Sequence, residues 1–117
     1  MTKYRNVKTR GFDSQAEAWR YDELLLLERA GDICDLEIQP EYVVWRPDPR
    51  TRFQERKVRN IKYIADFKYR EWRQGQWYTI VEDTKGSRTA VYQIKKKLFL
   101  DMIIRQGLAI EFREVQV

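Results

Sequence analysis

The sequence predicts an α/β fold with an αβββαβ core, in which a central mixed four-stranded sheet is flanked by two helices. Two stretches of helical periodicity bounded by capping residues lie near residues 14–30 and 88–105. Alternating apolar and polar runs fill the stretch between them and the C-terminal segment. The second helix falls between the third and fourth strands, and such a crossover favours parallel pairing of those two. A length of 117 residues fits one domain, 1–117, with one core.

The first helix is expected from Ser14 to about Ala30. Ser14 and Glu17 have the S-x-x-E spacing of a capping box, and Arg29 followed by Gly31 suits a C-terminus. Tyr21, Leu24 and Leu25 form the inward stripe, and Glu17 shares their face. Ile33 to Trp45 reads as extended, interrupted at Pro40. Arg59 to Trp72 is the second strand, with Ile61, Tyr63, Ala65, Phe67 and Tyr69 on one face. Lys62, Ile64, Asp66, Lys68 and Arg70 take the other. Gln74-Gly75 suits a hairpin turn. The third strand, Trp77 to Lys85, carries Thr79, Val81, Asp83 and Lys85 on one side and Tyr78, Ile80, Glu82 and Thr84 on the other. The second helix runs from about Arg88 to Arg105 with Val91, Ile94, Leu98 and Met102 as its core stripe, and Gly107 closes it. Leu108 to Val115 is the last strand. The four tryptophans, Trp19, Trp45, Trp72 and Trp77, are expected to pack rather than to stack on bases, and Tyr92 to serve the core or a rim.

Composition removes whole classes of chemistry. The chain has no histidine and one cysteine, Cys34. Zinc sites of Cys/His type and hydrolases with a histidine base are therefore excluded. Catalysis would have to run on carboxylates, lysine, tyrosine or a metal held by oxygen. The lone cysteine, the lack of an apolar run of membrane-spanning length and a start without a secretory stretch point to the cytoplasm.

The formal charge of +5 is unevenly placed. A basic N-terminal arm (about 1–12) holds Lys3, Arg5, Lys8 and Arg10. A basic inter-strand segment (about 46–59) holds Arg46, Arg50, Arg52, Arg56, Lys57 and Arg59 against Asp48 and Glu55. Such patches draw polyanions, nucleic acid above all, although solvated basic loops look the same in a sequence. The inter-strand segment is the first candidate for DNA contact and the arm the second. Lys95 and Lys96 join them as helix-borne candidates, although a run of three with Lys97 cannot all point one way.

The fragments that carry chemistry are IADF (Ile64 to Phe67) and VEDTKG (Val81 to Gly86). Asp83 and Lys85 are two apart on a strand and leave by one face. If the neighbouring strand pairs as a hairpin, Asp66 joins them. Two close carboxylates repel unless a cation lies between, and Mg²⁺ takes one or two carboxylates with water and phosphate oxygens. Phosphodiester hydrolysis suits that set, with Asp66 and Asp83 as ligands, the Thr84 carbonyl facing the metal, and Lys85 orienting the attacking water. Glu17 would reach in from the helix, as a metal ligand directly or through a water. The bland readings stand beside these: Glu17 as a helix cap, Asp66 paired to Lys62 or Lys68, and Asp83 with Lys85 as a chance D-x-K.

At these residues the chain resembles the PD-(D/E)XK, or restriction-endonuclease-like, nuclease superfamily, and within it the small phage and archaeal Holliday-junction-resolvase-like branch. The likeness runs through SQAEAWRYDELLLLERAG, IADF, VEDTKG and the lysine-rich helix, in that order. It implies a restriction-endonuclease-like core, dependence on Mg²⁺ with Mn²⁺ as substitute, and endonucleolytic cleavage of branched or structured DNA. A homodimer and a phage or prokaryotic setting are implied as well. The matching positions are Glu17 as the helix acid, Asp66 as the motif acid, and Asp83 with Lys85 as the D-x-K pair. Ala65 stands where the motif name has proline. Glu82 lies beside Asp83 on the opposite face, so a shift of register would exchange their roles. The competing expectations are a non-catalytic DNA-binding module of the same fold and a nuclease subunit that needs a partner for targeting.

Overall fold

Local capping chemistry sets where the first helix begins and ends. In the computed structural model, which describes residues 11–12, 14–84 and 89–116, α1 spans Gln15–Ala30. Ser14 is extended and its Oγ accepts the Glu17 N–H at 3.1 Å, satisfying one of the orphan donors of the first turn. Gly31 ends the helix at φ 84°, a left-handed conformation that a residue without Cβ adopts cheaply. Its buried residues are Glu17, Ala18 and Leu24, so the acid does share the inward face.

The strands run β1 (Ile33–Ile38), β2 (Glu41–Trp45), β3 (Arg52–Phe53), β4 (Arg56–Lys57), β5 (Ile61–Ile64), β6 (Phe67–Arg73) and β7 (Gln76–Thr84). Helix α2 (Ala90–Arg105) and β8 (Ile110–Val115) complete the chain. A four-stranded mixed sheet has the order β1-β6-β7-β8, antiparallel except for the parallel β7–β8 pair that α2 connects. The β6–β7 hairpin turns at Gln74 (φ 48°) and Gly75 (φ 80°), the two positive φ values that a two-residue turn matching strand twist demands.

Two expected strands are each divided. Residues 33–45 form β1 and β2, and residues 59–72 form β5 and β6, with the breaks at Gln39–Pro40 and at Ala65–Asp66. The breaks are tied to each other: Gln39 N–H donates to the Asp66 carbonyl at 2.8 Å and Ala65 N–H to the Pro40 carbonyl at 3.1 Å. Pro40 has no N–H to continue a ladder, and Gln39 turns through φ 52°. Beyond the breaks, β2 pairs with β5 in a separate two-stranded sheet. The alternation read along 59–72 therefore belongs to two sheets and not to one face. The inter-strand segment, expected as a connection, contains a third sheet, the β3–β4 ribbon.

The chain forms two compact units. One holds α1, β1, β6, β7 and β8; the other holds β2 to β5 and α2. The core of the first is Phe12, Ala18, Leu24, Ile33, Phe67, Tyr69 and Ile80, with Tyr21, Leu27, Leu36 and Tyr78 packed against it. Phe12 and Tyr21 rings meet at 5.0 Å, and Tyr21 stacks on Phe67 at 6.2 Å. In the second unit, Phe99 packs on Tyr42 at 4.7 Å and on Tyr63 at 5.0 Å.

That aromatic cluster corrects half of the stripe expected on α2: Met102 is buried and Leu98 partly buried as expected, but Val91 and Ile94 are not. The buried residues are Tyr92, Phe99, Met102 and Ile103, while Val91 and Ile94 are each 56% exposed. Turning the helix inserts the largest ring, where aromatic pairs add about 0.5–1.5 kcal/mol beyond their buried area. Thr89 caps α2, its Oγ1 accepting the Tyr92 N–H at 3.1 Å, so the helix starts after Arg88. The tryptophans stay out of the core: all four are at least 40% exposed, and the buried rings are Phe and Tyr. Trp72 and Trp77 face one another edge-on at 5.1 Å beside the β6–β7 turn, where the hairpin leaves no core to enter. No helix among the described residues is long and apolar enough to cross a membrane.

Candidate active site

The site is built at the point where β6 peels away from β7. Phe67 is the strand partner of Glu82, yet Asp66 N–H also donates to the Glu82 carbonyl, at 3.1 Å. Asp66 thus stands in the break just before β6 and still bonds to β7. The Asp66 carboxylate then accepts the Thr84 N–H through Oδ2 at 2.6 Å. Asp66 therefore grips β7 on both sides of Asp83, by its main chain at Glu82 and by its side chain at Thr84. The IADF and VEDTKG segments do come together.

Burial makes the pair unusual. Asp66 is 2% exposed and Asp83 3% exposed, and Glu17 on α1 is 4% exposed. Asp and Glu are rarely this buried without paired charge or a metal. All three keep interactions within the structure. The Oε2 atom of Glu17 and Oγ1 of Thr84 make no hydrogen bond among the described residues. Glu17 stands in the capped first turn, its N–H donating to Ser14 Oγ, and its side chain is enclosed.

Alternation along β7 separates two adjacent acids. Glu82 points to the face covered by α1, where Arg20 grips it with two bonds, Nε–Oε2 at 2.7 Å and Nη2–Oε1 at 2.9 Å. The Tyr69 hydroxyl donates to Oε1 at 2.6 Å. Glu82 is fully buried and fully engaged. The Glu82 hydrogen bonds raise the Arg20 pKa further above its ordinary value, against the cost of burial. Burial first, then the Glu82 hydrogen bond and charge, push the Tyr69 phenol well above its usual range, so it stays protonated. Glu82 is a structural ion and Asp83 is the acid left for the opposite face. Arg20 and Tyr69 were not singled out from the sequence, although Arg20 stands one helical turn after Glu17 and so faces the same strand.

Further along the sheet, Arg113 bridges Glu71 at 2.9 Å and Glu111 at 2.7 Å, while Arg73 meets Glu111 at 2.8 Å and Glu71 at 3.0 Å. Hydrogen bonding from Arg113 lowers the pKa of both glutamates, with Arg73 adding to the effect.

Lys85 and the basic arm residues Lys3, Arg5, Lys8 and Arg10 lie outside the described residues. Arg50, Arg52, Arg56, Lys57 and Arg59 are all exposed, in the second unit. Arg50 is drawn into a pair with Asp48 at 2.8 Å, and Arg52 bonds the carbonyls of Pro49 and Thr51. Lys95 and Lys96 are half-buried, with the Lys96 ammonium 5.5 Å from the Tyr92 ring centre.

A family model described as a protein of unknown function (DUF1064) matches residues 1–116. The chain belongs to the DUF1064 family. No curated protein and no solved structure matches it. Membership of DUF1064 brings no activity with it, so the chemistry of this DUF1064 chain is argued from its own side chains.

Among the described residues no three acidic or cysteine side chains form a metal-holding group. Asp66 and Asp83 supply hard oxygen donors all the same. Mg²⁺ commonly uses only one or two carboxylates and completes its shell with water and phosphate oxygens. The donor set therefore fits a divalent cation of that kind.

Proposed function

We propose that this protein is a divalent-metal-dependent endodeoxyribonuclease of restriction-endonuclease-like fold, acting on branched or structured DNA. The observation that carries the reading is the buried Asp66 at the strand break, bonded to β7 by its main chain at Glu82 and by its carboxylate at Thr84, on either side of the buried Asp83. Asp66 and Asp83 would hold the cation, Mg²⁺ with Mn²⁺ as substitute. In extended chain one residue's N–H and C=O leave by the same strand edge, so the Thr84 carbonyl faces the Asp66 side as a third oxygen. When bound, the cation supplies Lewis-acid polarisation of the scissile phosphate and an acidified water.

The remaining work falls to the chain. Lys85, two residues past Asp83 on the strand pattern, places a cation beside the phosphate and orients the attacking water. Glu17 acts from α1 as a supporting acid, holding a water and not ligating directly. The Thr84 N–H holds the Asp66 carboxylate in one orientation. The Arg20–Glu82–Tyr69 cluster anchors β7 from beneath. Basic side chains of the inter-strand segment and the N-terminal arm supply phosphate contacts, which makes binding fall steeply with salt. The partners are DNA and, in this reading, a second copy of the chain.

Purified protein is to be tested on four-way junction, flap, linear duplex and single-stranded DNA with Mg²⁺ or Mn²⁺, with and without EDTA. Metal-dependent cleavage that is lost in Asp83→Asn and in Lys85→Met supports the reading. Salt-sensitive binding without cleavage under every condition would leave a DNA-binding module. Cleavage only after addition of cell extract would mark a subunit that needs a targeting partner.

A further inference from the structure

The most exposed aromatic ring in the inter-strand segment stands on a tip that nothing in the core requires. Strands β3 and β4 pair Arg52 with Lys57 and Phe53 with Arg56. Gln54 and Glu55 join them at φ 52° and 65°, a two-residue turn with both positions left-handed. Non-glycine residues pay a conformational cost there, and the result is a narrow tip. Phe53 is 70% exposed on it, and every residue from 48 to 57 is exposed.

A single exposed apolar side chain is ordinary. The setting of this one is not. Phe53 and Arg56 share one face of the ribbon, and Arg52 and Lys57 share the other. Among the described residues Arg56, Lys57 and Arg59 have no acidic partner, whereas Arg50 nearby is paired with Asp48. A flat apolar ring rimmed by uncompensated cations matches a ligand with π-faces strung on a polyanion. Base–aromatic stacking is indifferent to sequence, and cations follow the backbone. Wedging a ring into intact duplex costs a few kcal/mol of unstacking per step, and a position already unpaired avoids that cost.

We infer that Phe53 is a stacking site for an unpaired base, presented on the β3–β4 tip and flanked by Arg56 and Lys57 as phosphate contacts. The inference rests on the nucleic-acid reading above and adds its selectivity device: unpaired bases, not sequence, are what the ribbon recognises. Phe53 was not among the sequence-derived candidates, because one phenylalanine in a basic run carries no signal until the turn shows it at a tip.

The test is binding in EDTA, where no cleavage contributes. The probe is a duplex with one unpaired 2-aminopurine, compared with a matched duplex of equal length. Wild-type protein is expected to prefer the unpaired probe and to change its fluorescence. Phe53→Ala should reduce that preference on the order of 10-fold, and Phe53→Trp should keep it. Circular dichroism verifies that both variants fold, as expected for so exposed a position. Phe53→Ala with an unchanged preference and signal overturns the stacking site. So does a loss confined to binding of phosphatidylglycerol vesicles, which would assign the tip to a lipid surface. A Phe53-dependent preference without cleavage in Mg²⁺ retains the stacking site and removes the nuclease; cleavage without the preference does the reverse.

Discussion

Removing Arg20 separates the two neighbouring acids of β7 by their consequences. Glu82 is fully buried, and Arg20 supplies two of the three hydrogen bonds that hold its charge there. In Arg20→Met the carboxylate keeps only the Tyr69 hydroxyl. Breaking a buried pair from one side costs about 3–5 kcal/mol, because the surviving charge is stranded. A domain holds roughly 5–15 kcal/mol in total. The melting temperature of a chain this size moves roughly 3–6 °C per kcal/mol, so a fall of roughly 9–30 °C is expected. Urea unfolding followed by circular dichroism reads the same loss as a lower midpoint at unchanged slope. The double variant Arg20→Met/Glu82→Met should recover most of it, since an apolar pair of similar volume is often neutral. Asp83→Asn should leave stability nearly intact and abolish cleavage. An Arg20→Met protein within about 0.5 kcal/mol of wild type would refute the structural role of Glu82 and reopen which acid serves the site.

Other outcomes follow from the same geometry. Glu71 and Glu111 have folded pKa values below the ordinary 4.5, so their contribution is present above that value and is lost as pH falls through the lowered ones. Acid unfolding should therefore steepen below about pH 4.5, and Arg113→Met should flatten that limb. Ser14→Ala removes the cap on the Glu17 N–H and should cost about 1 kcal/mol, read by thermal melting. Glu17→Gln should reduce cleavage far less than Asp83→Asn; equal losses in a turnover assay would place Glu17 in the primary pair.

The β6–β7 hairpin and the parallel β7–β8 pair were legible because each clue was local. A Gly-containing turn, a crossover helix and period-two strands need only neighbours in sequence to be read. Ser14, Gly31 and Gln74-Gly75 sit where their backbone chemistry demands. The divided strands were half legible: Pro40 signals its own break, but Ala65–Asp66 carries no turn residue and breaks because β7 and Gln39 hold it from two sides. The stripe on α2 went astray because Val, Ile and Leu repeat as neatly as Tyr92, Phe99 and Ile103, and the aromatic partners Tyr42 and Tyr63 are distant in sequence. That the IADF and VEDTKG segments meet was legible as a hairpin around Gln74-Gly75, whereas the claim of Arg20 on Glu82 needed the packed helix.

Direct measurement of cation binding reaches the central proposal most closely. Mn²⁺ titrated into the protein without DNA, followed by electron paramagnetic resonance, should show a bound fraction in the wild type. That fraction should vanish in Asp66→Asn and in Asp83→Asn while Glu17→Gln retains it. Undiminished Mn²⁺ binding in both aspartate variants, with the fold preserved, would contradict a metal held at this strand fork.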